Sequence, residues 1–144
     1  MTVVAIHIAA KAGAEAMAVG EVRAVAGKGL EGDRNFPAAK PDRQVTLIAV
    51  EELEWLKREH GIELTPASSR RNIATRDVRL GELVGREFAV GAVRLKGLRL
   101  CEPCGHLEKL AGLPGLKKLF AGRCGLRAEI LAGGVIRVGD AVAT

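Results

Sequence analysis

The sequence has no tyrosine, and its four aromatic residues are Phe36, Trp55, Phe88 and Phe120. Base stacking therefore has few platforms, which argues against a nucleic-acid-binding barrel even though the formal net charge is +5. Cysteine is scarce as well: three residues, an odd number, do not make a disulfide framework. No apolar run approaches the ~20 residues needed to span a bilayer. Met1 to Ala10 lacks the basic start and small-residue cleavage site of a leader, so a cytoplasmic protein without membrane contact is expected. Internal repeats, low-complexity tracts and the Walker A and Rossmann glycine patterns are all missing. What remains is a chain of 144 residues, 48% hydrophobic and 27% charged, the balance of one globular domain spanning 1–144.

The charge is unevenly placed. Residues 1–72 hold ten basic and ten acidic side chains, whereas residues 73–144 hold twelve and seven. The whole excess lies in the half that also carries Cys101, Cys104 and Cys124. A positive field around thiols favours the thiolate and attracts anions such as phosphates.

Thr2–Ala9 reads as a β-branched strand, with His7 inside it as a satisfied core residue. A second strand over 19–25 leads into a loop over 27–35, where three glycines rule out regular structure. Gln44–Ala49 reads as a buried strand. Val50–His60 is the clearest helix: Val50, Leu53 and Leu56 share one face, Glu51 and Glu52 open it, Lys57, Arg58 and His60 close it, and Gly61 stops it. Arg70–Arg76 reads as a short strand, 80–85 as a turn, and Glu87–Val90 with Val93–Leu100 as a hairpin. Gly105–Leu110 and Pro114–Phe120 read as short helical pieces. Leu126–Leu131 and Val135–Val138 suggest a final hairpin about Gly133-Gly134. Many short strands with few helices favour a mainly-β barrel over a βαβ sheet.

Three stretches carry chemistry. In Cys101-Glu102-Pro103-Cys104-Gly105-His106, proline ends the strand and leaves Cys104 at the start of a short helix, where unpaired N–H groups stabilise a thiolate fit for a soft metal or for carrying sulfur. A structural zinc site made of Cys101, Cys104, Cys124 and either His60 or His106 competes, but Cys124 has no second ligand close to it in sequence. The glycines of Gly29-Leu30-Glu31-Gly32-Asp33-Arg34 let backbone N–H groups approach an anion, with Arg34 as a forked donor and Asp33 to orient it. Arg70, Arg71 and Arg76 around Asn72 repel one another unless spread apart or matched by an anion such as a phosphate or pterin ligand.

Taken in order, Gly29 to Arg34, Arg70-Arg71-Asn72-Ile73, Leu80 to Gly85, Leu100-Cys101-Glu102-Pro103-Cys104 and Ala132 to Asp140 make the sequence resemble the MOSC domain, the C-terminal domain of molybdenum cofactor sulfurases. The resemblance implies a closed mainly-β barrel with small helices, related to the pyruvate-kinase barrel. It implies binding of molybdenum cofactor (molybdopterin), with Cys104 as catalytic sulfur carrier or molybdenum ligand. Asp33, Arg34, Arg70 and Asn72 would hold pterin and phosphate, with Arg71 and Arg76 as neighbours. Sulfur transfer to the cofactor or to metal–sulfur centres is the activity implied. A molybdenum-dependent reductase of N-hydroxylated compounds is the variant, and a non-enzymatic zinc-stabilised or nucleic-acid-binding barrel the competing class. The chain is too short to include the pyridoxal-phosphate domain of full sulfurases, or the extra domain of amidoxime-reducing proteins. A separate cysteine desulfurase or electron-transfer protein is therefore the implied partner. Asp77 stands where similar short members have glycine.

Overall fold

The computed structural model describes residues 1–11, 14–102, 115, 118 and 120–144. Among these residues, eleven strands and an α-helix follow the apolar pattern of the chain. They are β1 (Thr2–Ile8), β2 (Met17–Val19), β3 (Glu21–Val25), β4 (Gly29–Leu30), β5 (Val45–Ala49), α1 (Val50–His60), β6 (Ile73–Arg76), β7 (Glu87–Val90), β8 (Val93–Leu100), β9 (Leu126–Ala132), β10 (Gly134–Arg137) and β11 (Val142–Ala143). Short 3-10 turns at Pro41–Arg43 and Leu80–Leu83 punctuate them. Both helical pieces expected between residues 105 and 120 fall outside the described residues, save Gly115, Lys118 and Phe120.

The larger sheet has the order β11-β7-β8-β9-β5-β6-β1-β2, the smaller β10-β3-β4. Pairing is antiparallel except between β5 and β6. The chain leaves β5 straight into α1 and returns to β6 alongside, so one βαβ crossover sits within an otherwise antiparallel, mainly-β molecule. The closed barrel expected from the sequence is not formed by the ladders. β2 and β11 stand at opposite edges of the larger sheet; between β1 and the approach to β11 there is an isolated bridge, Thr2 with Ala141, flanked by backbone bonds from the Val3, Gly139 and Val142 N–H groups to the carbonyls of Asp140, Val3 and Met1, but no ladder. Three residues in β2 and two in β11 are too few to carry a closing ladder.

Two other expectations change. The strand over 19–25 is divided at Gly20, with β2 pairing to β1 and β3 joining the smaller sheet. Likewise β9 and β10 do not form a hairpin: β9 lies between β8 and β5, while β10 pairs with β3. Local alternation identifies the strands but not their partners.

Period-two alternation sorts the side chains of the larger sheet. Ile6, Leu47, Ile73, Leu95 and Leu126 face inward to a core completed by Phe88 and, from the smaller sheet, Leu30 and Ile136. Ile48 and Ala74 face outward and are covered by α1, whose Val50, Leu53 and Leu56 pack on them together with Phe120, Cys101 and Cys124. Each fully buried Leu or Phe contributes about 1.5–3 kcal/mol. The helix ends as its sequence requires, at Gly61 in the left-handed region (φ 66°), with the Ile62 N–H reaching back to the Leu56 carbonyl. At Gly125 (φ 112°) a Cβ would overlap the Leu47 carbonyl, so glycine there is what lets β9 begin against β5.

Candidate functional site

On the outer face of the larger sheet, one row of side chains runs across four neighbouring strands. Arg127 of β9 pairs with Thr46 of β5, and the Leu47–Ile73 and Ile6–Ile73 registers set Asn72 beside Thr46 and His7 beside Asn72. The inward neighbours of these residues are core, so alternation turns this row outward. Asn72 locks the row: its Oδ1 accepts the Thr46 N–H at 3.0 Å and the Thr46 hydroxyl at 3.1 Å, and its Nδ2 donates to the His7 carbonyl at 3.1 Å.

The loop after β4 forms one wall. Asp33, 7% exposed, accepts the Ala9 N–H on Oδ1 (3.1 Å) and the Asn35 N–H on Oδ2 (3.4 Å), and the Arg34 N–H donates to the Ala9 carbonyl at 2.7 Å. The carboxylate thereby fastens the loop to the end of β1 and leaves the Arg34 side chain exposed over the cleft. Opposite stand Arg70 and Arg71. Arg70 has φ 64°, a conformation that costs a non-glycine residue about 1–3 kcal/mol and marks sites of function more often than of packing. Its Nη1 donates to the Ala14 carbonyl, and its Nη2 is buried without a partner among the described residues. Burial first, and then the positive charge of Arg34, lower its pKa from the usual guanidinium value. Arg71 Nε donates to the Cys124 carbonyl at 2.8 Å.

The enclosed space is about 50 Å³, lined by Asp33, Arg34, Arg70, Arg71, Asn72, Thr46, His7 and Arg127 among others. Three nitrogens of the lining residues, His7 Nδ1, Arg70 Nη2 and Arg127 Nε, are buried and have no hydrogen-bond partner among the described residues. The two guanidinium nitrogens are donors, and an unpartnered buried donor costs about 1–3 kcal/mol until something accepts from it; a small anion answers that demand.

Residues 33–143 match the MOSC domain family. The chain belongs to it. Solved structures share the MOSC chain's fold over 99% of its length. They include the YUAD protein from Bacillus subtilis (18% identity, TM-score 0.83, 94% of that chain) and YiiM from Geobacillus stearothermophilus (16%, 0.81, 73%). YiiM from Escherichia coli is a third (20%, 0.75, 69%). No curated protein sequence matches the chain. Molybdenum cofactor is the ligand associated with MOSC domains.

Five of the residues anticipated for the MOSC site, Asp33, Arg34, Arg70, Arg71 and Asn72, meet at the cleft. Arg76 does not. It lies at the far end of β6 and forks onto Glu54 of α1 at 3.2 and 3.4 Å. Cys104, with Pro103 and His106, lies outside the described residues. Three members of the cleft were missed from the sequence, His7, Thr46 and Arg127, because each sits singly in an apolar strand and only the register brings them together. His7 is buried (8% exposed) as expected but its Nδ1 is not satisfied, and burial lowers its imidazole pKa. Three of the four cleft-floor and wall arginines come from the electrically balanced first half of the chain, so the charge split along the sequence did not locate the positive site.

Cys101 and Cys124 are each 1% exposed, and the Cys124 thiol donates to the Cys101 carbonyl. Burial raises both thiol pKa values, that of Cys124 to about 11, and Arg71 opposes the rise at each. Among the described residues no three His, Cys, Asp or Glu side chains converge on a metal position, and no helix is long and apolar enough to cross a membrane. A larger cleft of about 590 Å³ lies at the opposite ends of β5 and β6, between Glu51, Asp77 and Arg123. There the Glu51 carboxylate accepts the N–H of Asp77 (2.7 Å), whose φ of 63° is the left-handed backbone for which glycine was expected.

Proposed function

We propose that the cleft holds the phosphate end of a molybdenum–pterin cofactor and that Cys104 is the thiolate that ligates its metal or carries sulfur to it. The observation that supports this reading is the set of buried, unpartnered nitrogens on His7, Arg70 and Arg127 around a space of about 50 Å³. A guanidinium presents planar, always-charged donors that match phosphate oxygens, and Arg70 is held with one such donor free. Room of this size suits a phosphate group and leaves the ring system outside it. Bound cofactor would supply a soft metal centre for sulfur or oxygen-atom chemistry.

The protein's own residues have separable tasks. Asn72 and Asp33 fix the floor and the wall, and Arg34, Arg70, Arg71 and Arg127 neutralise the ligand. Thiol chemistry falls to Cys104, because Cys101 and Cys124 are buried and held protonated at neutral pH, whereas the thiolate is the reactive form. Cys101 is linked to the cleft through Cys124, whose thiol donates to the Cys101 carbonyl and whose own carbonyl accepts from Arg71 Nε. A three-residue tether extends at most about 11 Å, so Cys104 is within covalent reach of the cleft's surroundings. Sulfur or electrons would come from a separate cysteine desulfurase or electron-transfer protein.

The test is expression in cells that make the cofactor, followed by pterin fluorescence of the denatured protein and metal analysis. Wild type is expected to carry pterin and molybdenum, Cys104→Ser to lose the metal or sulfur load, and Cys101→Ser to retain most of it. Alkylation of the native protein at pH 7 should reach Cys104 before Cys101 and Cys124. Equal loss in both serine variants would replace the single-thiolate reading with a shared metal site. Stoichiometric zinc without pterin would overturn the proposal altogether.

A further inference from the structure

Next to the cleft, and sharing Arg34 and Asn35 with it, is a second open pocket of about 350 Å³ whose rim carries Lys40 and Arg43. The two acids nearby are already committed. Asp33 spends its carboxylate on backbone N–H groups, and Asp42 is forked by Arg99 at 2.9 and 3.3 Å, which with its other basic neighbours lowers its pKa. Arg127 binds the backbone carbonyl of Asp42 and not its carboxylate. Among the described residues, then, Arg34, Lys40, Arg43, Arg70, Arg71 and Arg127 have no carboxylate ion-pair partner.

Cations gathered around two adjoining pockets repel each other unless an anion spans them. A phosphate monoester carries about two negative charges, and one phosphoryl group fills the inner cleft, leaving Lys40 and Arg43 unanswered. We propose that the outer pocket is a second phosphoryl subsite and that the site takes a diphosphate ester, an organic phosphate joined through a second phosphoryl to a further group such as a nucleoside. The inference rests on the reading of the inner cleft as a phosphate site. Arg34 is the cation common to both pockets, as needed for two phosphoryl groups that share a bridging oxygen. The outer volume has room for the group attached beyond the second phosphoryl, which the inner one does not.

The test is calorimetric titration at one fixed ionic strength with orthophosphate and with pyrophosphate. Pyrophosphate should bind wild type about tenfold or more tightly than orthophosphate. In the Lys40→Ala/Arg43→Ala variant that preference should shrink to about twofold while orthophosphate binding stays unchanged. A control variant lacking two cations elsewhere, Lys57→Ala/Arg94→Ala, should keep the preference. If orthophosphate binds but the preference is missing in wild type, or survives in Lys40→Ala/Arg43→Ala, the second subsite is wrong and the inner phosphate cleft stands. If neither anion binds, or Arg70→Ala leaves orthophosphate binding untouched, both readings fall.

Discussion

The same strands build two unlike ends of one sheet face. Two residues along each strand, keeping the same side, Thr46 gives way to Ile48, Asn72 to Ala74 and His7 to Ala5, while on neighbouring strands Arg127 is followed by Gly125 and Arg99 by Cys101. At one end α1 covers the face and the residues are apolar and satisfied. At the other no helix among the described residues covers it, and the side chains are polar, cationic and in part unpartnered. Stability is stored at the covered end. Among the described residues the open end stores most of the unmet hydrogen-bonding capacity, three nitrogens against Glu51 Oε1 at the other, while each end has one left-handed residue, Arg70 and Asp77. If the cleft is the binding site proposed above, its place is set less by the strands than by the reach of the crossover helix.

That division can be broken from either side. The largest effect is expected for Leu56→Ala at the covered end, where the side chain is 0% exposed. A loss of about 2–5 kcal/mol in urea-denaturation stability should accompany unchanged orthophosphate affinity of the folded protein. A drop in affinity would mean the two ends are coupled. Asn72→Ala should cost less, about 1–3 kcal/mol, because Thr46 and His7 lose their bridging partner. Unlike Leu56→Ala, it should also weaken anion binding, and intact binding would remove Asn72 from the floor of the site.

The smallest effect is electrostatic. Burial lowers the His7 pKa below its usual 6.5, so between the two values the unfolded chain binds more protons than the folded one. His7 therefore contributes stability that is present above pH 6.5 and lost as pH falls through the folded value. The charged groups lining the same cleft are Arg34, Arg70, Arg71 and Arg127, with Asp33 among them. Urea midpoints should fall from pH 7 to pH 5 more steeply in wild type than in His7→Gln, and parallel profiles would contradict a buried neutral His7.

Much of this was legible in the chain. Helix α1 has the bounds its apolar face and Gly61 dictate, because helix signals are local. The resemblance to the MOSC domain also grouped Asp33, Arg34, Arg70, Arg71 and Asn72 in advance. Arg76 was grouped with them because it is close in sequence, but a strand rises about 3.3 Å per residue, which carries it some 13 Å beyond Asn72 to the end where Glu54 waits. His7, Thr46 and Arg127 were illegible for the converse reason: they are distant in sequence and meet only through register. The same non-local pairing decides that β10 joins β3 and that the larger sheet stays open at β2 and β11.

Arg70 and Arg76 offer the most direct measurement, since they lie on one stretch of chain and differ in which end they serve. Each is replaced by alanine, the proteins are purified from cells that make molybdenum cofactor, and the pterin released on denaturation is measured per mole of folded protein. Arg76→Ala is expected to carry as much pterin as wild type, losing only an exposed ion pair worth about 0–1 kcal/mol, while Arg70→Ala is expected to be depleted with its urea midpoint little changed. Equal retention by both variants, or a greater loss in Arg76→Ala, would contradict the assignment of the cleft as the place where this MOSC domain holds its ligand.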